Sequence, residues 1–239
     1  MHDDHGHTLA EIQARINSGE SGGHLRDAIY GGIDGAVTTF ALVSGVAGAG
    51  LSPGIIIALG FANVLSDGFS MAAANYSGTK SDQENLERLR AIEVRHIEEY
   101  RDGELLELRE ILRQKGLEGS VLDDATQAIS KNEQAWIDLM LVGEYGVSPV
   151  DPAPIKAALV TFTAFLAAGV VPLIPFVLSL SGPFVISVVV TLMTFFLIGA
   201  IKSRWSVIPW CRSGFETLLI GGTAAAIAYG VGLLLRGTT

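Results

Sequence analysis

Two carboxylates stand where the sequence is otherwise too apolar to tolerate charge. Asp34 lies in Gly31-Gly-Ile-Asp34-Gly-Ala-Val-Thr38-Thr39-Phe40, and Asp67 in Asn63-Val-Leu-Ser66-Asp67-Gly-Phe-Ser70-Met71. An ionisable group inside a membrane-spanning helix is costly, so by default it is a functional group. Residues four apart share a helix face. Asn63, Asp67, Met71 and Asn75 therefore form one stripe, and Asp34 and Thr38 sit one turn apart in the same way. Two helices facing each other with these stripes make a polar path with carboxylate, amide and thioether ligands. The plainer alternative is that Asp34 meets water or a lysine at the end of its span, Asp67 pairs with a basic group, and Met71 fills core. The cost of burying charge favours the functional reading of the carboxylates, and Met71 draws its weight from the stripe it shares with Asp67.

A second set of candidate ligands lies in the hydrophilic block 78–151. It comprises Glu93-x-x-His96-x-x-Glu99, Glu107-x-x-Glu110 and Met140-x-x-x-Glu144. Each spacing presents neighbouring ligands on one helix face. Carboxylate with imidazole suits Fe²⁺, Mn²⁺ or Zn²⁺ better than Ca²⁺. Spacing alone is weak support, because Glu-rich helices with Arg nearby are usually solvated surfaces. Glu93-x-x-His96 is also half of a di-iron motif, which needs that pattern on two helices plus two further Glu. Three residues after Glu144 stands Val147, so a ferroxidase site is incomplete. The cluster His2-Asp3-Asp4-His5-Gly6-His7 reads as a disordered tail with occasional metal contact.

The elements that must position these groups follow from the apolar runs. Of 239 residues 49% are hydrophobic, and mean hydropathy is +0.42, too apolar for an ordinary soluble domain of this length. A bilayer takes about 20 apolar residues per helix. Spans are expected at 29–50, 54–77, 155–179, 184–201 and 215–235, and the polar first 26 residues hold no signal peptide. In the hydrophilic block, 81–100 reads as a helix continuing from the second span. Asp102-Gly103 marks a turn, and helices follow at 104–114, ended by Gly116, then 122–130 and 133–145.

Gly31 with Gly35, and Ala41 with Gly45 and Ala49, are small-residue rows for close helix approach, either within a subunit or at a dimer face. Pro172 and Pro175 interrupt the third span, and the carbonyls they free suit a cation or simply mark a kink. The net charge of −9 is concentrated in 78–151 and argues against nucleic acid. The single Cys211 forms no internal disulfide. Lys202, Arg204 and Arg212, with Arg15, Arg26, Lys80 and Lys156, place the N-terminus, the acidic block and 202–212 in the cytoplasm. Five spans leave the C-terminus outside, and Trp205 and Trp210 fit an interfacial belt.

Over nearly the whole chain these residues resemble the vacuolar iron transporter family. The motifs are Asp34-Gly-Ala-Val-Thr-Thr-Phe-Ala-Leu-Val-Ser-Gly-Val-Ala-Gly-Ala and Asp67-Gly-Phe-Ser-Met-Ala-Ala-Ala-Asn-Tyr-Ser-Gly-Thr-Lys-Ser, with support from Ala135-Trp-Ile-Asp-Leu-Met and Pro172-Leu-Ile-Pro-Phe. The resemblance implies an all-α integral membrane protein with five transmembrane helices and a cytoplasmic helical metal-binding domain inserted between helices 2 and 3. The chain then divides into an N-terminal segment 1–28, spans 1–2 at 29–77, the metal-binding domain at 78–153 and spans 3–5 at 154–239.

The resemblance also implies a homodimer that exports Fe²⁺ from the cytosol in exchange for protons, with Mn²⁺ as second substrate. The partners are then the lipid bilayer, divalent metal ions and protons, with no nucleic acid, no enzymatic activity and no prosthetic group; Zn²⁺ is a further candidate ion. Asp34 matches the family's acid in the first span and Met71 its methionine in the second. Glu99 matches a Glu of the first cytoplasmic helix, Glu107 and Glu110 the pair on the second, and Met140 and Glu144 ligands on the last. The chain departs from the family pattern in three places. His96 replaces a Glu, Leu141 a second Met, and Asn63 an acid that Asp67 supplies one turn later. A bacterial inner membrane is expected in preference to a vacuole. The rivals are a membrane-anchored, iron-storing ferroxidase and a metal-sensing membrane protein.

Overall fold

The computed structural model describes residues 8–17 and 24–236; the histidine cluster at 2–7 lies outside them. Every described element is helical: α1 (Leu9–Asn17), α2 (Leu25–Gly48), α3 (Pro53–Glu99), α4 (Arg101–Gln114), α5 (Gly119–Ile129), α6 (Glu133–Gly143), α7 (Pro154–Val170), the short α8 (Ile174–Val177), α9 (Pro183–Lys202) and α10 (Trp210–Leu235). Among the described residues five helices are long and apolar enough to cross a membrane: Leu25–Gly48, Pro53–Glu99, Pro154–Val177, Pro183–Trp205 and Trp210–Leu234. This architecture fits a multi-pass integral membrane protein. The chain divides into two compact units, an apolar one of 22–77 and 154–239 and a polar one of 1–21 and 78–153.

In the apolar unit α2 is the central helix and packs against α7, α9 and α10. Its small residues make this possible. A Cβ on Gly35 would stand 2.4 Å from the Phe165 carbonyl oxygen of α7. A Cβ on Gly232 of α10 would stand 2.2 Å from the Gly45 carbonyl oxygen. The glycine rows of the first span therefore serve backbone-to-backbone packing inside the subunit. Ala36, Phe40, Val43, Val64, Phe165 and Phe195 are buried between the helices, while Leu59, Phe69, Leu159, Leu219 and Leu234 are exposed on outer faces. Large apolar side chains turned outward are what a lipid solvent permits and water does not. Pro172 and Pro175 end α7 at Val170 and turn the chain through a 3₁₀ segment at Val171–Leu173. The Pro172 carbonyl accepts a hydrogen bond from the Ser187 hydroxyl at 2.7 Å, so a side chain already satisfies it.

The polar unit is built round Leu86, Leu89, Ile97, Leu108, Leu112, Leu122, Trp136, Ile137, Met140 and Leu141. The second span and the helix expected at 81–100 are one uninterrupted helix, α3. The break after it comes at Tyr100 (φ −130°, ψ 37°), not at Asp102-Gly103. Both residues lie in the first turn of α4, where Asp102 complements the helix dipole and a Cβ on Gly103 would meet no neighbour. Gly116, at φ +91°, supplies the left-handed residue that ends α4. Asn132 caps α6 by accepting from the Ala135 N–H at 3.2 Å. That helix stops at Gly143, two residues short of expectation, so Glu144 and Tyr145 sit at its end.

Candidate functional site

Two separate sets of polar groups carry the candidate chemistry, one in each unit. In the apolar unit, the Asp34 carboxylate of α2 and the Asp67 carboxylate of α3 are both half-buried and lie within Coulombic range of each other. At one end of the same interface, the Asn75 amide donates to Asp27 Oδ1 at 2.9 Å and to Thr161 Oγ1 at 2.7 Å. Asp27 precedes Asp34 by two helical turns, and Asn75 follows Asp67 by two turns. The antiparallel register thus pairs 27 with 75 and 34 with 67, and α2 and α3 meet along a polar seam. Met71 and Asn63 are half-buried on the same stripe of α3, and Asn63 Nδ2 is buried without a hydrogen-bond partner. Thr38 donates its hydroxyl hydrogen to the Asp34 backbone carbonyl at 2.9 Å, so its hydrogen is already used within α2. Asp27 and Asn75 extend the seam beyond the two carboxylates that stand out in sequence. Asp27 lies in the first turn of α2, two residues before the first span expected from the apolar runs, so no such run marks it.

In the polar unit, Glu93 of α3 is fully buried. Its Oε1 accepts from the Tyr145 hydroxyl at 2.8 Å, and its Oε2 is buried with no partner. Glu104 of α4 is buried as well. Its Oε1 lies 3.2 Å from His96 Nδ1, and its Oε2 also has no partner. Burial pushes the Glu104 carboxyl up to about 7, reinforced by the charges of Glu93, Glu107 and Glu144 and opposed by His96. Glu144 is raised in the same way, first by burial and then by Glu93 and Glu107. Burial also pushes the Tyr145 phenol up, and its bond to Glu93 adds to this. Glu93, His96, Glu104, Glu107 and Glu144 are therefore electrostatic neighbours, with two orphaned buried carboxylate oxygens among them. Two such oxygens without a proton donor are costly.

Not every expected ligand joins this group. Glu110 lines an open groove with Leu106, Glu107, Ile111 and Glu144, but both its oxygens are held by Arg113 at 2.7 Å. That bond keeps its carboxyl well below the usual range. Glu99 is exposed, and Met140 is fully buried in the apolar core. Among the described residues no three His, Cys, Asp or Glu side chains stand close enough to hold a metal ion as they are. Glu107 and Glu144, both exposed, would have to swing in.

Glu104 is the residue that spacing alone missed. A signal was available: Glu104, Leu108 and Leu112 lie four apart on the buried stripe of α4. Glu93 interrupts the stripe Leu86, Leu89, Ile97 of α3 in the same manner. A carboxylate at a core position is costly unless it is protonated, hydrogen-bonded or bound to a cation.

Residues 25–233 match the VIT family. The chain is 34% identical to vacuolar iron transporter 1 of Arabidopsis thaliana over 208 residues, covering 86% of this chain and 83% of the relative. It is 33% identical to vacuolar iron transporter 1 of Eucalyptus grandis over 237 residues, 95% of each chain. It is 30% identical to the vacuolar iron transporter of Toxoplasma gondii over 228 residues, 90% of this chain and 76% of the relative. These relatives are named for the vacuole, and they lend no support to the expected bacterial membrane. With a match that runs from the start of α2 into the last turns of α10, the chain belongs to the VIT family.

Proposed function

We propose that this chain is a membrane transporter of divalent metal that exports Fe²⁺ from the cytosol in exchange for protons, takes Mn²⁺ as a second substrate, and works as a homodimer. The observation that carries the reading is that Asp34 and Asp67 lie within Coulombic range of each other inside apolar helices. A carboxylate pair between spans accepts either a cation or a proton, which is the minimum chemistry of an antiporter. The names of the relatives supply the metal: they are iron transporters. Asp34, Asp67, Met71 and Asn63 form the translocation site in this reading.

Glu93, His96, Glu104, Glu107 and Glu144 form a cytoplasmic collecting site, with Glu99, Glu110 and Met140 beside it. The acidic cluster concentrates cations from solution, and its orphaned oxygens give a bound ion something to satisfy. Carboxylates with a single imidazole suit Fe²⁺ and Mn²⁺. An oxidase would need a second Glu-x-x-His helix, for which the sequence offers only Glu144 followed by Val147.

The test is metal uptake by sealed proteoliposomes containing the purified protein, with and without an imposed pH gradient. Fe²⁺ flux that rises with the gradient, accompanied by counter-movement of protons, is the expected result. Metal flux indifferent to the gradient would remove the proton coupling, and no flux would remove the transport reading.

A further inference from the structure

We propose that Asn75 is a positioning residue for transport. Its amide fastens α3 to α2 and α7, and so sets the depth and rotation at which the Asp67 stripe meets Asp34. This rests on the transport reading above.

The geometry is specific. One amide nitrogen reaches two helices, donating to Asp27 Oδ1 on α2 at 2.9 Å and to Thr161 Oγ1 on α7 at 2.7 Å. Thr161 is fully buried. At that level α2 and α7 already touch backbone to backbone, since a Cβ on Gly31 would stand 2.3 Å from the Thr161 carbonyl oxygen. Asp27, one turn before Gly31, is braced in its own right. His24 Nδ1 lies 3.1 Å from its second oxygen. The amide of Asn75 is thus anchored to the locked junction of two other helices.

The membrane-spanning part of α3 has no backbone lock of this kind. A Cβ on Gly60 or Gly68 would meet the side chains of Leu173 or of Phe165 and Phe162, not a neighbouring backbone. Side-chain ends yield where backbone does not. Much of the remaining surface of this span, including Leu59, Leu65 and Phe69, is exposed. The rotation of α3 is therefore set by few contacts, and a helix turns about 100° per residue. A slip of one residue would carry Asp67 off the face that Asp34 sees. The tie at Asn75 lies about 12 Å along α3 from Asp67, eight residues at 1.5 Å each. That is close enough to fix the register and far enough that the amide is no ligand of an ion held between Asp34 and Asp67.

The experiment uses the full chain in proteoliposomes and reads initial rates of Fe²⁺ uptake, resolved into KM and Vmax. KM is independent of the fraction of protein that is folded, so it separates positioning from loss of material. Asn75→Leu keeps the approximate volume and removes both bonds. Thr161→Val keeps shape and removes one acceptor, and Thr161→Ser restores the hydroxyl. The expected result is a KM raised about tenfold in Asn75→Leu, about threefold in Thr161→Val, and unchanged in Thr161→Ser, the scale of one or two lost interhelical hydrogen bonds. If Asn75→Leu fails to insert, the two Thr161 variants carry the test. Wild-type KM in Asn75→Leu or, failing that, in Thr161→Val, while the wild-type protein transports, would overturn the inference alone. Absence of flux in the wild type would overturn the transport reading and the inference with it.

Discussion

The chemistry of both sites begins with carboxylates in places that oppose charge. Asp34→Asn keeps the shape of the side chain and removes the ionisable group. In the proposed function the variant inserts and folds but transports Fe²⁺ at close to the background rate of empty vesicles. Near-normal flux from Asp34→Asn would leave Asp34 without its assigned role. Glu104 makes a different prediction, because its cost appears in stability. Its carboxyl is raised in the folded protein from 4.5 to about 7. Between those values the native state holds a proton that the unfolded chain has lost, so metal-free stability falls as pH rises through this window. Glu104→Gln removes that dependence. At neutral pH and above, the metal-free variant should be the more stable protein, by about 1–3 kcal/mol. The advantage should vanish as pH approaches the ordinary carboxylate range. Added Mn²⁺ should stabilise the wild type and the variant much less. Thermal melts across pH, with and without Mn²⁺, check all three points; equal melting of the two metal-free proteins at neutral pH would show that Glu104 carries no strain.

At the scale of elements, glycine divides into two kinds here. Gly35 is where α2 meets α7, and a Cβ there would press within 2.4 Å of the Phe165 carbonyl oxygen and 2.9 Å of its Cα. Backbone cannot step aside as a side-chain tip can. Gly35→Val should force α2 and α7 apart and lose folded protein, seen as loss of a monodisperse peak in detergent. Gly78, within α3, has no atom within 4 Å of its added Cβ. Gly78→Ala should be tolerated and should stabilise by roughly 0.5–1 kcal/mol, the helix-propensity difference. Sequence shows both as small residues in helices. It does not show which one faces a neighbouring backbone.

For the whole molecule, the proposed orientation is testable through a single residue. Cys211 is the one cysteine of the chain and is exposed, between Trp210 and Arg212 at the start of α10. With the basic loop on the cytoplasmic side, a membrane-impermeant thiol reagent should label Cys211 in inside-out vesicles and not in right-side-out ones. The reverse pattern would invert the topology and, with it, the direction of export.

The sequence by itself determined that the chain is helical and carries five runs long and apolar enough to cross a membrane, because apolar run length and helix periodicity are local properties. It also determined the family, through motifs around Asp34 and Asp67 that are contiguous in the chain. Tertiary structure decided what depends on partners distant in sequence. It brought Asp34 within Coulombic range of Asp67, 33 positions away, and bonded Asn75 to Asp27 and Thr161. It put Glu104, which no ligand spacing marked, beside His96, and drew Glu110 off to Arg113 three residues along its own helix. Spacing along a helix tells which side chains share a face. Which face is buried, and against which other helix, is settled by packing, and only burial turns an ordinary glutamate into one with an unsatisfied oxygen.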